Sequence, residues 1–238
     1  MNLLLRPIPD QPRRYADSFG IVFFLALATY VVWSLVDFDG WSGVLTVGIA
    51  CLTGLAALIA ADARGALMPP SVALAGLALA LAVIAALIDD DTVLGIGSLL
   101  AILLLLLAIA AVLVRIVLAT EIGFEPILGA ISVYTLLGIM FAFTYTAIHR
   151  LGDTPFFAGI DDPTTSDFVF FSFTTLTTTG YGNLVPSGQP GEMIAGIEML
   201  MGQIFLVTLI ARLVALWNPG EKLRAARAAR QRDEGDPQ

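Results

Sequence analysis

The sequence predicts an all-α membrane protein, and three observations carry that expectation: the share and clustering of apolar residues, the placement of the basic residues, and a polar glycine-containing run between two apolar stretches. Of 238 residues, 58% are hydrophobic and 13% charged, and the mean hydropathy is +0.87, whereas a soluble domain carries about 25% charged residues. Crossing ~30 Å of hydrocarbon takes about 20 helical residues. Six stretches meet that length: Phe19 to Val36, Trp41 to Ala61, Met68 to Ile88, Val93 to Val114, Ile127 to Ile148 and Met193 to Ala211. Phe168 to Leu176 is apolar but too short to span, which fits a helix that enters the bilayer and returns on the same side.

Taken in order, the N-terminus does not read as a signal peptide, because Pro7, Pro9 and Pro12 interrupt it and the first long apolar run begins after Asp17. Cys51, the sole cysteine, sits inside the second span, so neither a disulfide framework nor a thiolate metal site can be built. Residues 65–70 and Asp89 to Thr92 read as tight connections. On the third span Ala78, Ala82 and Ala86 form a small-residue stripe suited to close helix packing; general alanine richness explains it equally well. The fourth span contains no arginine, and Arg115 stands alone at its end. A charged-helix voltage sensor needs several, since one charge moved through 100 mV contributes only about 2.3 kcal/mol. Glu121 to Pro126 is a linker, and Pro126 suits the first turn of the fifth helix. His149 lies at the outer end of that helix with no partner cluster, as an interfacial residue rather than a ligand. The chain divides into a four-helix part (1–120), a second part with the short helix and its loop (121–217) and a short basic tail (218–238).

Charge placement gives an orientation. With both termini cytoplasmic, Arg6, Arg13, Arg14, Arg64, Arg115, Arg212, Lys222, Arg224, Arg227, Arg230 and Arg232 are inside and only Arg150 is outside, as the positive-inside rule requires. Asp37, Asp39, Asp89, Asp90, Asp91, Asp153, Asp161 and Asp162 then face outward. The net charge of −8 is not a nucleic-acid signal; the outer carboxylates either concentrate cations locally or simply hydrate the loops. Arg212 is expected to snorkel to cytoplasmic phosphates, and the tail beyond Glu221 fits an anionic lipid surface.

The polar run is Leu176-Thr177-Thr178-Thr179-Gly180-Tyr181-Gly182-Asn183. Consecutive carbonyls can line one side of such a strand only if backbone angles alternate unusually, which Gly180 and Gly182 allow. A ring of such carbonyls can replace the hydration shell of a potassium ion without fixed charge, a description that general accounts of channel filters already give for this motif. From Pro155 to Arg212 the chain resembles the pore domain of tetrameric potassium channels, with Thr178-Thr179-Gly180-Tyr181-Gly182 on the family's Thr-Val-Gly-Tyr-Gly. The resemblance implies a C4 homotetramer, each chain contributing six spans, a re-entrant pore helix and a filter loop, with three identical subunits as partners. It implies potassium ligation by the carbonyls of Thr178, Thr179, Gly180 and Tyr181 and by the Thr178 hydroxyl, with Tyr181 turned outward as a brace and Thr174 and Asn183 supporting the filter. Asn183-Leu184-Val185-Pro186 resembles the family's Asp-x-x-Pro outer turn, Gly191 opens the inner helix, and Ala211 and Ala215 fall near the inner gate.

Two departures stand out. Asn183 replaces the usual aspartate, and Thr174 lies where some bacterial relatives have a glutamate behind it. Phe170 and Phe171 occupy positions of hydrogen-bonding tryptophans, so the carboxylate clamp of those relatives is absent. Gly202, twenty residues past Gly182, matches the family's inner-helix hinge; a small residue for packing against the pore helix is the equal alternative. Glu198 lies one turn before Gly202 on nearly the same face, at a depth where a carboxylate needs a partner or a proton. Ser172 or Thr174 are its expected partners, with pH-sensitive gating as the functional reading and hydration near the outer interface as the bland one. The expected activity is passive, potassium-selective conduction across a plasma membrane, without catalysis or organic cofactor. A weakly selective cation pore is the alternative, and a secondary transporter the more distant one.

Overall fold

The computed structural model describes residues 18–35, 41–63, 65, 67–118 and 124–216. The N-terminal prolines, Asp37, Asp39, Arg64, residues 119–123 and the tail from 217 lie outside the described residues, as do the side chains of Phe124, Glu125, Pro126 and Ala215. Within them the chain is helical: α1 (Ser18–Leu35), α2 (Ser42–Ala60), α3 (Met68–Ile88), α4 (Asp91–Leu118), α5 (Phe124–Leu151), α6 (Thr165–Leu176) and α7 (Gly191–Leu216).

Five of the six expected spans, α2, α3, α4, α5 and α7, are long and apolar enough to cross a bilayer. The first is shorter: the apolar part of α1 is Phe19–Ser34. α4 and α5 run past their apolar stretches to 28 residues each, about 42 Å at 1.5 Å per residue. Pro126 is the third residue of α5, so that helix begins inside the expected linker.

α4 packs against α2, α3 and α5, while α1 lies against α2 and α5 and reaches α6. Some polar groups inside this bundle are paired within it, as a hydrocarbon surround favours: Thr29 and Thr53 share a 3.0 Å hydroxyl contact between α1 and α2, and Ser98 donates to the carbonyl of Leu94. The small residues of α3 are a packing face. Ser71, Ala75, Ala78, Ala82 and Ala85 are buried, Ala86 only partly, and a Cβ placed on Gly97 of α4 would stand 3.2 Å from the carbonyl oxygen of Ala78. The two backbones meet because neither side chain holds them apart.

The charges gather at opposite ends of α4. At its start Asp91 pairs with Arg150 at 3.0 Å, and Asp90 accepts from the backbone amides of Thr92 and Val93 as a helix cap. At its far end Arg115 approaches Asp62 at 3.9 Å and donates to the carbonyl of Ala61. Arg212 donates to the carbonyl of Val117 at that same end.

Candidate functional site: the pore helix and its glycine loop

The short helix α6 starts at a reciprocal cap. The amide of Asp167 donates to the Thr164 hydroxyl, and the Asp167 carboxylate accepts from the Thr164 amide at 2.8 Å, so two otherwise orphaned N–H groups are satisfied. Phe168 and Phe171 bury their rings against Phe156 and Phe157. This aromatic cluster anchors the helix on the stretch before it. The loop after the helix returns to the same cluster, where Phe157 pairs with Pro186 and the amide of Ala158 donates to the carbonyl of Val185. The helix has 12 residues, and the stretch before it meets the loop after it through these contacts.

At its other end α6 gives way to the loop through a set of amides that all turn back. Thr178 N–H donates to the carbonyl of Thr175 at 2.9 Å, and the amides of Thr179 and Gly180 share the carbonyl of Thr174 at 2.8 and 3.1 Å. A trans peptide places N–H and the preceding C=O on opposite sides. The carbonyls of Thr177, Thr178 and Thr179 therefore point away from the pore helix. The backbone angles agree: φ is +57° at Thr178, +54° at Gly180 and +79° at Gly182, with no positive φ at Thr179 or Tyr181. Nothing lies within 4 Å of a Cβ built on Gly180 or Gly182, so glycine is required there by conformation and not by space. Thr178 adopts the same region despite its branched Cβ, at a cost on the order of 1–3 kcal/mol.

Apart from Ala215, whose side chain lies outside the described residues, the predicted site residues can be located. Thr174 works through its carbonyl, while its hydroxyl donates to Phe171. Thr179 shares a 2.8 Å hydroxyl contact with Thr177. Tyr181 turns its ring outward and stacks on Phe170 at 5.7 Å and 14°, leaving 70% of the residue exposed in the single chain. Asn183 is exposed in the outer turn. Ala211 is exposed on α7. Gly202 is pressed against the end of the pore helix, where a Cβ would collide with the carbonyl oxygen of Leu176. Glu198 is fully buried, which removes the hydrated-interface reading. Its oxygens lie 2.5 Å from the hydroxyls of Ser172 and Tyr145; Ser172, not Thr174, is the pore-helix partner.

Sequence reasoning missed Tyr134, Gly138, Tyr145 and Gln203. Tyr134 donates to the carbonyl of Leu176 at 3.1 Å, Gly138 admits the ring of Phe173, which a Cβ would meet at 2.7 Å, and Gln203 donates to the Thr178 hydroxyl at 3.2 Å. The two tyrosines were open to prediction, since a phenol inside a span must find an acceptor. Which acceptor it finds depends on how α5 is rotated against α6, and no local pattern encodes that.

A helical membrane protein whose short capped helix feeds a loop of outward-turned carbonyls, backed along its length by a long inner helix, has the architecture of an ion-channel pore. Residues 134–217, which hold most of α5, then α6, the loop and all of α7, match a family model described as an ion channel. Over that segment the chain is similar to ion-channel domains, in agreement with the resemblance read from the glycine loop. No curated protein matches the chain.

Proposed function

We propose that this protein conducts potassium ions passively through a pore formed by four copies of the chain. The observation that carries this reading is the set of three loop amides bonded back to α6, which turns the carbonyls of Thr178 and Thr179 toward the open side of the loop. With the carbonyls of Gly180 and Tyr181 and the Thr178 hydroxyl they form the ligand set, and the ions are its cargo. One loop supplies one wall; a dehydrated ion needs a ring, hence the fourfold assembly.

In this reading residues 1–120 are a scaffold without voltage-sensing arginines, residues 121–217 the pore domain and 218–238 a cytoplasmic tail at the inner leaflet. Both termini face the cytoplasm of a plasma membrane. Asp91 and Arg150 lie outside and Asp62, Arg115 and Arg212 inside, so each ion pair joins residues that the basic-residue bias assigns to one face. The outer carboxylates raise the cation concentration at the mouth.

Thr179 in the valine position and Asn183 in the aspartate position favour a second reading, a cation pore of weak selectivity. Reversal potentials of the full-length protein in planar bilayers, recorded across a potassium/sodium gradient, separate the two. A potential near the potassium equilibrium value supports the filter; one near zero replaces it with the weakly selective pore. Flux coupled to a second ion would point to a transporter instead.

A further inference from the structure

The three helices around the filter meet in two matched rungs. On α5, Tyr134 and Gly138 are one turn apart; on α6, so are Leu176 and Ser172; on α7, so are Gly202 and Glu198. The lower rung joins the Tyr134 hydroxyl to the carbonyl of Leu176, against which Gly202 is pressed. The upper rung joins the carbonyl of Gly138, the Ser172 hydroxyl and the Glu198 carboxyl group at 2.7 and 2.5 Å, with the Tyr145 hydroxyl 2.5 Å from the other Glu198 oxygen. All three side chains of this upper rung are fully buried.

Counting protons decides the state of this rung. Ser172 carries one hydroxyl proton and faces two oxygens, a carbonyl that can only accept and the Glu198 carboxyl group. If Glu198 is a carboxylate, one of these short contacts lacks a hydrogen, and a charge lies in the span bonded to only two neutral hydroxyls. The groups that face it from the packed elements are Tyr145 and Tyr134 of α5 and Ser172 of α6, and among the described residues no Lys, Arg or His side chain bonds to it. If Glu198 carries the proton, every hydrogen has a place. Tyr145 donates to Glu198 Oε2, Glu198 Oε1–H donates to Ser172 Oγ, and Ser172 donates to the carbonyl of Gly138.

We propose that Glu198 is a neutral carboxylic acid acting as a positioning residue, which both accepts and donates a hydrogen bond and so locks the inner helix to the pore helix and to α5. The clamp stands on the inner helix, not on the pore helix where the resembling channels carry theirs, and Ser172 is its receiver. Holding the pore helix at this height fixes Leu176 and the carbonyl of Thr174, to which the filter amides are bonded. The inference concerns the neutral acid and its partners, and holds whichever cation the loop passes.

The test uses the full-length protein reconstituted in liposomes. Infrared spectra of wild type minus Glu198→Gln should show the carbonyl stretch of a protonated carboxyl group between pH 5 and 7. Glu198→Gln keeps one acceptor and one donor, so its cation flux should stay within about twofold of wild type. Glu198→Leu, Ser172→Ala and Tyr145→Phe each break the chain and should lose about tenfold or more, the scale of a buried hydrogen bond with an unsatisfied partner. A carboxylate band in place of the acid band, or Glu198→Gln as damaging as Glu198→Leu, overturns the proposal. Should Glu198→Leu fail to assemble, the infrared band and the Glu198→Gln flux still decide it. The wild-type reversal potential reports on the filter separately, so failure of either reading is seen without the other.

Discussion

Replacing Gly202 with alanine separates a hinge from a packing contact. The added Cβ would collide with the Leu176 carbonyl oxygen, and would stand 3.1 Å from Leu176 Cδ1 and 3.2 Å from its carbonyl carbon. Backbone cannot swing aside as a flexible side chain can, so α7 or the end of α6 must move. Overpacking of this kind costs about 1–3 kcal/mol. The hydrogen bond from Tyr134 to that same carbonyl is displaced with it, at about 1 kcal/mol. Alanine's better helix propensity returns about 1 kcal/mol. The net expectation is a loss of about 1–3 kcal/mol, read as a lower denaturation midpoint of the full-length protein in detergent. Gly196, on the same helix, has nothing within 4 Å of its Cβ position and serves as the control. Gly196→Ala should be neutral or stabilising by up to about 1 kcal/mol. If Gly202→Ala unfolds at the wild-type midpoint while conduction falls, the contact reasoning is wrong and the hinge reading takes its place.

Gly180→Ala and Gly182→Ala force a Cβ into positive φ and should abolish selective flux, at about 1–2 kcal/mol of backbone strain per copy; normal potassium currents from either variant would contradict the filter assignment. Thr164→Ala removes half of the reciprocal cap of α6 and should lower stability by about 1 kcal/mol, measurable by chemical denaturation. Arg150→Ala leaves Asp91, whose side chain is 79% exposed, without its partner; because the pair is half in water the loss should stay at or below about 1 kcal/mol, and a larger drop would mean that the stem of Arg150 packs more than it pairs.

Membrane residence and the position of each helix were legible in the sequence because hydrocarbon permits only one backbone solution to a long apolar run: every amide must be satisfied within its own segment. The glycine loop was legible for a similar reason, since Gly180 and Gly182 report a backbone conformation that few other residues adopt. The cap of α6 was legible too, in Thr164 and Asp167 three residues apart, and was passed over because the apolar run drew the helix start to Phe168. Between the helices the pattern weakens. Alanine in α3 gave no choice between a packing stripe and mere abundance until Gly97 was seen against Ala78, where the buried stripe proved to use Ala85 more fully than Ala86.

By itself, then, the sequence determined the helices, the bias of positive charge and the loop whose carbonyls face one way, because each depends on residues adjacent in the chain. Tertiary structure alone decided that Glu198 meets Tyr145 and Ser172, and that Gly202 abuts Leu176. Those contacts join residues 26 to 53 positions apart and follow from the rotation and depth of three apolar helices, on which nearly every face is equally greasy and no periodicity marks the side that turns inward.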